Sequence, residues 1–352
     1  MRQTDASQQL TARDRSILRE IISTFLSSGE PVSSRSVAKR HRQGLSPATV
    51  RNVMADLEDL GYLSQPHTSA GRVPTDSGYH LYIDSLMPSR LVSAQARRYI
   101  DEHLRQATQN GDQLVAVATQ LLSELSHLIG IVITPDMGET VIKALNFVRL
   151  SGKRVHCILV SENGFVDHKI IETKAEISEK ELLRISNYLT HHFAGLTLKE
   201  IRDRLLDMMA DARASVDKLL ASAIALGHEA VREEAVPSLL VEGTAAVLTQ
   251  PELADLDMIR RLLDTFADKA KLVGILNQLI EGKGVRVVIG EDSDLTSNLE
   301  FSLVATTYGI KEKSLGSLGI FGPSRMNYPA VIPLVDYLGE RLSLALESTM
   351  SD

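Results

Sequence analysis

The sequence is poor in cysteine and in aromatic residues. Its 352 residues include one cysteine and no tryptophan, and aromatic residues make up only 4%. A single cysteine, Cys157, excludes a disulfide within the chain and argues against a cysteine-based zinc site. Because Cys157 lies in the apolar run 155–160, we expect it to be buried rather than reactive. We expect no metal and no cofactor, and cores built mainly from Leu, Ile, Val and Ala.

Long apolar runs are also missing. No stretch of about 18 apolar residues occurs, which predicts that no segment spans a membrane. Residues 1–11 are polar and lack the apolar centre of a secretory signal. We therefore expect a cytoplasmic protein.

The patterns that mark catalytic sites are absent as well. The sequence has no Gly-x-Ser-x-Gly nucleophile motif, and its carboxylates show no spacing that suggests acid–base chemistry. His191 and His192 are adjacent, so they point to different faces of a helix and make a poor pair of metal ligands. We predict that the protein is not an enzyme.

The charge distribution favours a nucleic-acid partner although the net charge, −7, does not. No acidic residue occurs between Glu30 and Asp56. That stretch carries the basic residues Arg35, Lys39, Arg40, Arg42 and Arg51. A local basic face on an acidic chain is typical of a module that docks on phosphates.

The same region predicts a helix-turn-helix. A capping box at Thr11 and Asp14 begins a helix with apolar residues at helical spacing, and Gly29 ends it. Ser33 caps a short second helix, and Ser46, followed by proline, begins a third. Two helices joined by a short Gly-containing turn, after a stabilising first helix, form this motif.

The third helix, called the recognition helix below, carries the sharpest functional prediction. Burial of its apolar stripe would turn a small polar surface outward, and that stripe consists of Val50, Val53, Met54 and Leu57. Arginine matches the guanine edge and asparagine the adenine edge in the major groove. We predict DNA contacts from Arg35, Ser46, Thr49, Arg51 and Asn52. The alternative is a merely solvated face, and the division between base and phosphate contacts stays open.

The pattern of residues 62–75, called the wing below, predicts two short extended segments around a tip. A helix is predicted to follow from Asp76. His67, Thr68, Ser69 and Arg72 are small or basic and suit phosphate or minor-groove contact. A surface turn with a solvated Arg72 is the alternative.

Beyond a linker predicted at Pro88, strand patterns precede a helical block, and strand patterns then return. The first strands are predicted at 129–134, 141–150, 155–160 and 165–172, as one antiparallel sheet. The length of the chain predicts two or three domains. The simplest interpretation is an α+β multidomain protein, with a winged helix-turn-helix at 1–88, a core domain at 89–175 and 277–352, and a mostly helical insertion at 176–276.

Several of these segments resemble the family of heat-inducible transcription repressors HrcA. The resemblance covers almost the whole chain. It rests on Ser46-Pro-Ala-Thr-Val-Arg-Asn-Val-Met-Ala-Asp-Leu-Glu58, Pro66-His-Thr-Ser-Ala-Gly-Arg-Val-Pro-Thr75, Gly78-Tyr-His-Leu-Tyr82, Glu242-Gly-Thr244, Gly290-Glu291 and Gly316-Ser-Leu-Gly-Ile-Phe-Gly-Pro-Ser-Arg-Met-Asn-Tyr328. Such long motifs at both ends of the chain are highly specific.

The resemblance implies properties that composition and spacing do not show. The core domain is expected to be GAF-like, and the insertion to form a homodimer. The dimer is expected to bind an inverted-repeat operator, called CIRCE, upstream of chaperone operons. The GroE chaperonin is expected to keep the repressor active.

Two rival functions stay open from the sequence. A regulator gated by a small effector in the GAF-like domain would have a defined pocket and would be stabilised by one metabolite. A protein-interaction adaptor that uses the wing without DNA would bind DNA weakly and without salt dependence.

Overall fold

The computed structural model describes residues 10–41, 44–67, 70–88, 91–107, 111–134, 140–162, 164–211, 218–231, 239–247, 260, 273, 284–292, 301–310 and 313–349. These ranges form an N-terminal winged helix, a core domain built on a five-stranded sheet, and a body inserted into that core. The α+β multidomain class predicted from the sequence is confirmed. Among the helices of these ranges, none combines the length and apolarity needed to cross a bilayer.

The N-terminal helices begin and end at the predicted caps. Helix α1 spans Ala12–Ser28, between a Thr11 capping box and Gly29, which has a left-handed φ of 70°. Helix α2 spans Ser34–Arg40 with Ser33 as its N-cap, and α3, the recognition helix, spans Pro47–Asp59. Glycine ends α1 because it adopts this backbone conformation without a Cβ penalty.

The wing and a fourth helix complete this domain. Strands β1 (Leu63–Ser64) and β2 (Val73–Pro74) pair antiparallel, and a backbone bridge joins Val32 to Arg72 beside them. Helix α4 spans Asp76–Leu81 and continues as a π-helical turn over Tyr82–Leu86.

The core domain contains one antiparallel sheet in the order β7-β3-β10-β9-β8. Its strands are β3 (Ile129–Ile133), β7 (Leu239–Glu242), β8 (Arg286–Ile289), β9 (Phe301–Ile310) and β10 (Lys313–Pro323). Helices α6 (Gly111–Ser126) and α11 (Tyr328–Thr349) pack on it, and α5 (Ala94–Gln106) packs against these two helices. The short helix α10 (Thr244–Val247) follows β7.

The inserted body has its own sheet and its own hydrophobic cluster. Strands β4 (Ile142–Ser151), β5 (Arg154–Ser161) and β6 (Val166–Glu172) form a three-stranded sheet in chain order. Helices α7 (Glu179–Phe193), α8 (Leu198–Asp211) and α9 (Lys218–Val231) complete the body. The hydroxyls of Thr190 and Ser186 accept N–H groups from the edge strand β4, at 3.0 and 2.9 Å, which protects that edge from further strand pairing.

The prediction of one antiparallel sheet over 129–172 is wrong. Strand β3 pairs with β7 and β10 of the core, whereas β4, β5 and β6 pair only with one another in the described ranges. The strands of the two sheets differ in their burial pattern. Every residue of β3 is buried, as in a central strand covered on both faces, whereas in β5 buried residues alternate with half-buried or exposed ones.

The predicted bounds of the insertion, 176–276, therefore do not follow the packing. Strands β4 to β6 precede residue 176 but share a hydrophobic cluster with α7 to α9. Conversely, Leu239–Glu242 falls inside the predicted insertion but lies in the core sheet, with Leu239 opposite Ile133. Periodicity predicts strands but not their partners. The packing favours an inserted body that begins near residue 141 and ends before β7.

The turn between β5 and β6 holds the inserted body against the core. Phe165, between β5 and β6, is 2% exposed, belongs to the hydrophobic cluster of the core, and covers Gly111 at the start of α6. The Gly111 N–H donates to the Gly164 carbonyl at 3.1 Å, and the Val166 N–H donates to the Asp112 carboxylate at 3.2 Å. One buried ring and two hydrogen bonds thus join the two bodies.

The carboxylate in this joint makes stability depend on pH. Burial raises the pKa of Asp112, and the Val166 N–H and His168 offset the rise only in part. A folded-state pKa above the unfolded value means that the ionised form opposes folding, increasingly as pH rises through the folded-state pKa. We expect Asp112→Asn, which keeps an acceptor for Val166, to unfold at a higher temperature than the parent at neutral pH.

The advantage of Asp112→Asn is expected to shrink as pH falls towards the ordinary value of an aspartate, because the parent carboxyl is then protonated. Thermal unfolding across that pH range measures it, with Asp203→Asn, at an exposed position of α8, as the control. An advantage that stays constant with pH would contradict the assignment.

The winged helix packs directly on the core domain. The rings of Tyr79 and Tyr328 lie 5.8 Å apart, and His80 Nε2 lies 2.7 Å from the carboxylate of Asp292. Tyr328 is fully buried and donates from its hydroxyl to the Ser324 carbonyl at 2.7 Å. Two motifs from opposite ends of the sequence, 78–82 and 316–328, thus meet at this interface.

Candidate nucleic-acid interface

The recognition helix presents the predicted polar surface. Its apolar stripe is buried as expected, through Val50, Val53, Met54 and Leu57. On the opposite side Ser46, Arg51 and Asn52 are exposed, and Thr49 is half-buried. The small residues Ala48 and Ala55 are exposed between them, so the surface is low and polar and would allow the helix backbone to approach a groove closely.

Ser46 and Thr49 fix the N-terminus of this helix. The Thr49 N–H donates to the Ser46 hydroxyl at 3.1 Å, and the two hydroxyls lie 2.9 Å apart. These side chains therefore cap the helix, and they lie at the end where the partial positive charge of the helix dipole favours a phosphate.

The basic residues of the acid-free stretch have different environments. Arg35, Lys39 and Arg51 are exposed. Arg40 turns back onto α1 and donates to the Thr24 hydroxyl at 3.2 Å. Arg42 lies outside the described residues.

At the wing, His67 is exposed beside the tip. Gln65 stiffens this turn, because its amide donates to the Ala70 carbonyl at 3.1 Å and the Ala70 N–H donates to the His67 carbonyl at 2.8 Å. Thr68 and Ser69, which the sequence predicts as contacts, lie outside the described residues.

Arg72 lies at the root of the wing, bound to the recognition helix. Its guanidinium is 2.7 Å from the carboxylate of Glu58, in the last turn of that helix, and the two side chains are 19% and 32% exposed. The Arg72 Nε atom is buried without a hydrogen-bond partner. Much of this side chain is thus committed to holding the wing against the recognition helix, and its contact with DNA stays a prediction.

The backbone at the wing root is just as closely constrained. Val32 and Arg72 exchange two backbone hydrogen bonds, each 2.9 Å long. Gly71 lies so close to the Val32 carbonyl that a Cβ there would overlap it. Glycine is required at this position because two backbones approach closely. The segment between α1 and α2, the wing and the recognition helix therefore form one connected unit.

Exchanging the charges of Arg72 and Glu58 distinguishes the two possible roles of Arg72, which are holding the wing and contacting DNA. We expect Arg72→Glu to weaken DNA binding and to lower the free energy of unfolding by about 1–3 kcal/mol, since it places two carboxylates together. Adding Glu58→Arg restores the ion pair with reversed polarity. If Arg72 only positions the wing, the double variant recovers DNA affinity along with stability. If Arg72 also contacts phosphate, the double variant recovers stability alone.

Sequence reasoning placed Gly71 in the wing but did not predict its close approach to Val32, and it missed the ion pair of Glu58 with Arg72. The signal for Glu58 was present, because it is one of the first acids after the basic stretch, but its partner lies 14 positions away across a turn. Among the described residues, this surface is formed mainly by the recognition helix, carries exposed basic side chains and has no arrangement of catalytic groups. Such a surface suits duplex DNA.

Comparison with protein families gives two matches. Residues 9–85 match the family described as "Winged helix-turn-helix transcription repressor, HrcA DNA-binding". Residues 112–332 match "HrcA protein C terminal domain". Together the two matches cover most of the chain.

Individual relatives extend over nearly the full length. The chain is 41% identical to the heat-inducible transcription repressor HrcA of Geobacter sulfurreducens, over 96% of this chain and 98% of that one. Its identity to the protein of the same name from Syntrophobacter fumaroxidans is 34%, over 97% and 99% of the two chains. A crystal structure of a hypothetical protein at 2.2 Å resolution superposes with a TM-score of 0.68 and 26% identity, over 97% of this chain and 100% of that one.

Proposed function

Because the chain belongs to the family of heat-inducible transcription repressors HrcA, we propose that it binds an inverted-repeat operator of the CIRCE type as a homodimer and so represses chaperone operons. The family assignment makes it a DNA-binding transcription repressor, which is not an enzyme. The operator, the homodimer, the cytoplasmic location and activation by the GroE chaperonin are the further content of the proposal.

The outward surface of the recognition helix carries the proposal. Arg51 and Asn52 lie side by side on its exposed face, and these residue types read guanine and adenine edges. Ser46 and Thr49 at the helix N-terminus, with Arg35 and the wing, suit the flanking phosphates. One such helix reads one half-site, so a two-fold dimer reads an inverted repeat.

The test is a gel-shift titration of a palindromic CIRCE-type duplex and a scrambled duplex, at two salt concentrations. We expect a clear preference for the palindrome and weaker binding of both duplexes at higher salt, since phosphate contacts release counterions. Equal, weak binding of both duplexes, with and without added GroE chaperonin, would refute the proposal. Preference that appears only with chaperonin would support the activation step.

The proposed dimer has a candidate surface on the inserted body. Val148, His156 and Ile170 form one cross-strand row on the outer side of the β4–β5–β6 sheet. Val148 is 50% exposed and Ile170 is 61% exposed, although β-branched apolar side chains usually pack. An apolar sheet face of this kind marks an interaction surface.

A charge on this face is expected to disrupt the dimer. Ile170→Asp would bury a carboxylate in an apolar contact, so we expect the molar mass in solution, measured by light scattering, to fall from that of a dimer to that of a monomer. Operator affinity should fall with it, because two half-sites are no longer held together. Leu344→Asp, at a 52% exposed leucine of α11, is the matched control. An unchanged mass for Ile170→Asp would place the interface elsewhere.

A further inference from the structure

A cavity lies at the junction of the winged helix and the core domain. Its volume is about 370 Å³, which falls within the range of about 300–1,000 Å³ typical of small-molecule sites. Leu26 of α1 contributes one wall. The turn between α6 and β3, the segment between β10 and α11, and the first turns of α11 contribute the others. Small-molecule sites occur preferentially at such domain junctions.

The lining of this cavity combines apolar side chains with basic and polar ones. Leu128, Val331 and Leu334 are among its apolar side chains, and Arg325, His127 and Asn327 are among its polar ones. None of the described residues that line it is acidic. A guanidinium with neighbouring hydrogen-bonding side chains selects a carboxylate, and the leucine and valine walls select a hydrocarbon tail.

The basic group of the cavity also contacts the DNA-binding domain. The Arg325 guanidinium packs against Gly29, the C-cap of α1, so closely that a Cβ at residue 29 would overlap it. A cation at a helix C-terminus interacts favourably with the helix dipole. Val32, three residues further on, forms the backbone bridge to Arg72 at the wing root. The cavity and the wing are thus connected through one short segment.

From this arrangement we propose that the cavity binds a small organic carboxylate with an apolar tail, and that the bound carboxylate shares Arg325 with the end of α1. Binding is then linked to the position of the segment 29–32 and through it to the wing. The ligand site itself is independent of the proposed operator. Only its effect on DNA binding rests on the proposed function.

Octanoate is the probe, titrated calorimetrically into the full-length protein without DNA, with 1-octanol and octylammonium as matched probes. We expect saturable binding of octanoate alone. Arg325→Gln should weaken it about tenfold or more, since it removes a charge-assisted contact. Ala330→Phe, at an exposed position on the cavity wall, should abolish it by filling the space. Arg98→Gln and Ala94→Phe, both at exposed positions of α5, are the controls.

Each contrary result refutes one part of the proposal. No saturable binding of octanoate, or binding that both cavity variants leave unchanged, refutes the site. Equal binding of 1-octanol refutes the selection of a carboxylate. Hydrogen exchange of residues 25–32 should slow when octanoate is bound, and unchanged exchange refutes the link to the wing. Because no DNA is present, failure of the operator proposal leaves these outcomes unaffected.

Discussion

Arg51→Ala is expected to cause the largest loss of operator binding of any single substitution on the recognition helix. A specific arginine contact to a guanine contributes about 1–3 kcal/mol. The proposed dimer would make the contact twice on an inverted repeat, so the expected loss is about 2–6 kcal/mol. Arg51 is exposed and does not belong to the buried stripe, so the temperature of unfolding should not change. Gel-shift titration of the palindromic and scrambled duplexes measures the effect.

The two duplexes separate base contact from phosphate contact. A base contact predicts that Arg51→Ala loses preference for the palindrome, whereas a phosphate contact predicts an equal loss on both duplexes and a smaller salt dependence. Arg98→Ala, at an exposed arginine of α5, controls for the loss of one positive charge. Unchanged affinity for the palindrome would remove Arg51 from the interface.

Phe165→Ala is expected to have the largest effect on stability. Truncation of a buried phenylalanine costs about 3–5 kcal/mol, since it removes buried apolar surface and leaves a cavity. Phe165 joins the inserted body to the core and is 2% exposed, so the loss falls on the contact between them. We expect a lower temperature of thermal unfolding, and a lower temperature at which operator binding is lost.

The matched substitution at this joint is Phe165→Leu, which keeps most of the apolar volume. It should retain most of the stability that Phe165→Ala loses. Phe147→Ala, at a buried position within the inserted body, tests whether the effect belongs to the joint. If Phe147→Ala lowers the temperature of operator loss as much as Phe165→Ala does, the joint has no special part in heat inactivation.

The recognition helix could be predicted from sequence because its determinants are local. A serine cap, a proline in the first turn and an apolar stripe at helical spacing lie within a few residues of one another. The exposed positions of Arg51 and Asn52 follow from that stripe. The wing could be predicted from the same kind of local signal.

The sheet order and the wing root could not be predicted in this way. Strand β3 pairs with β7, more than one hundred residues later, and periodicity carries no information about so distant a partner. Arg72 seemed a free basic side chain in the sequence, because its ion pair with Glu58 depends on how the wing folds against α3. Continuous burial in β3 and alternation in β5 distinguish the two sheets, but both are properties of the folded structure.

The pairing of β3 with β7 has a consequence for synthesis on the ribosome. Strand β3 emerges early, but the strand that covers one of its edges emerges only after the whole inserted body, and β10, which covers the other, emerges near the end of the chain. The nascent chain therefore carries an apolar central strand with both edges unpaired while the inserted body is synthesised, and with one edge unpaired until β10 emerges. Such a strand is prone to pair with other chains. Completion of the core therefore depends on strands that the ribosome adds long after β3.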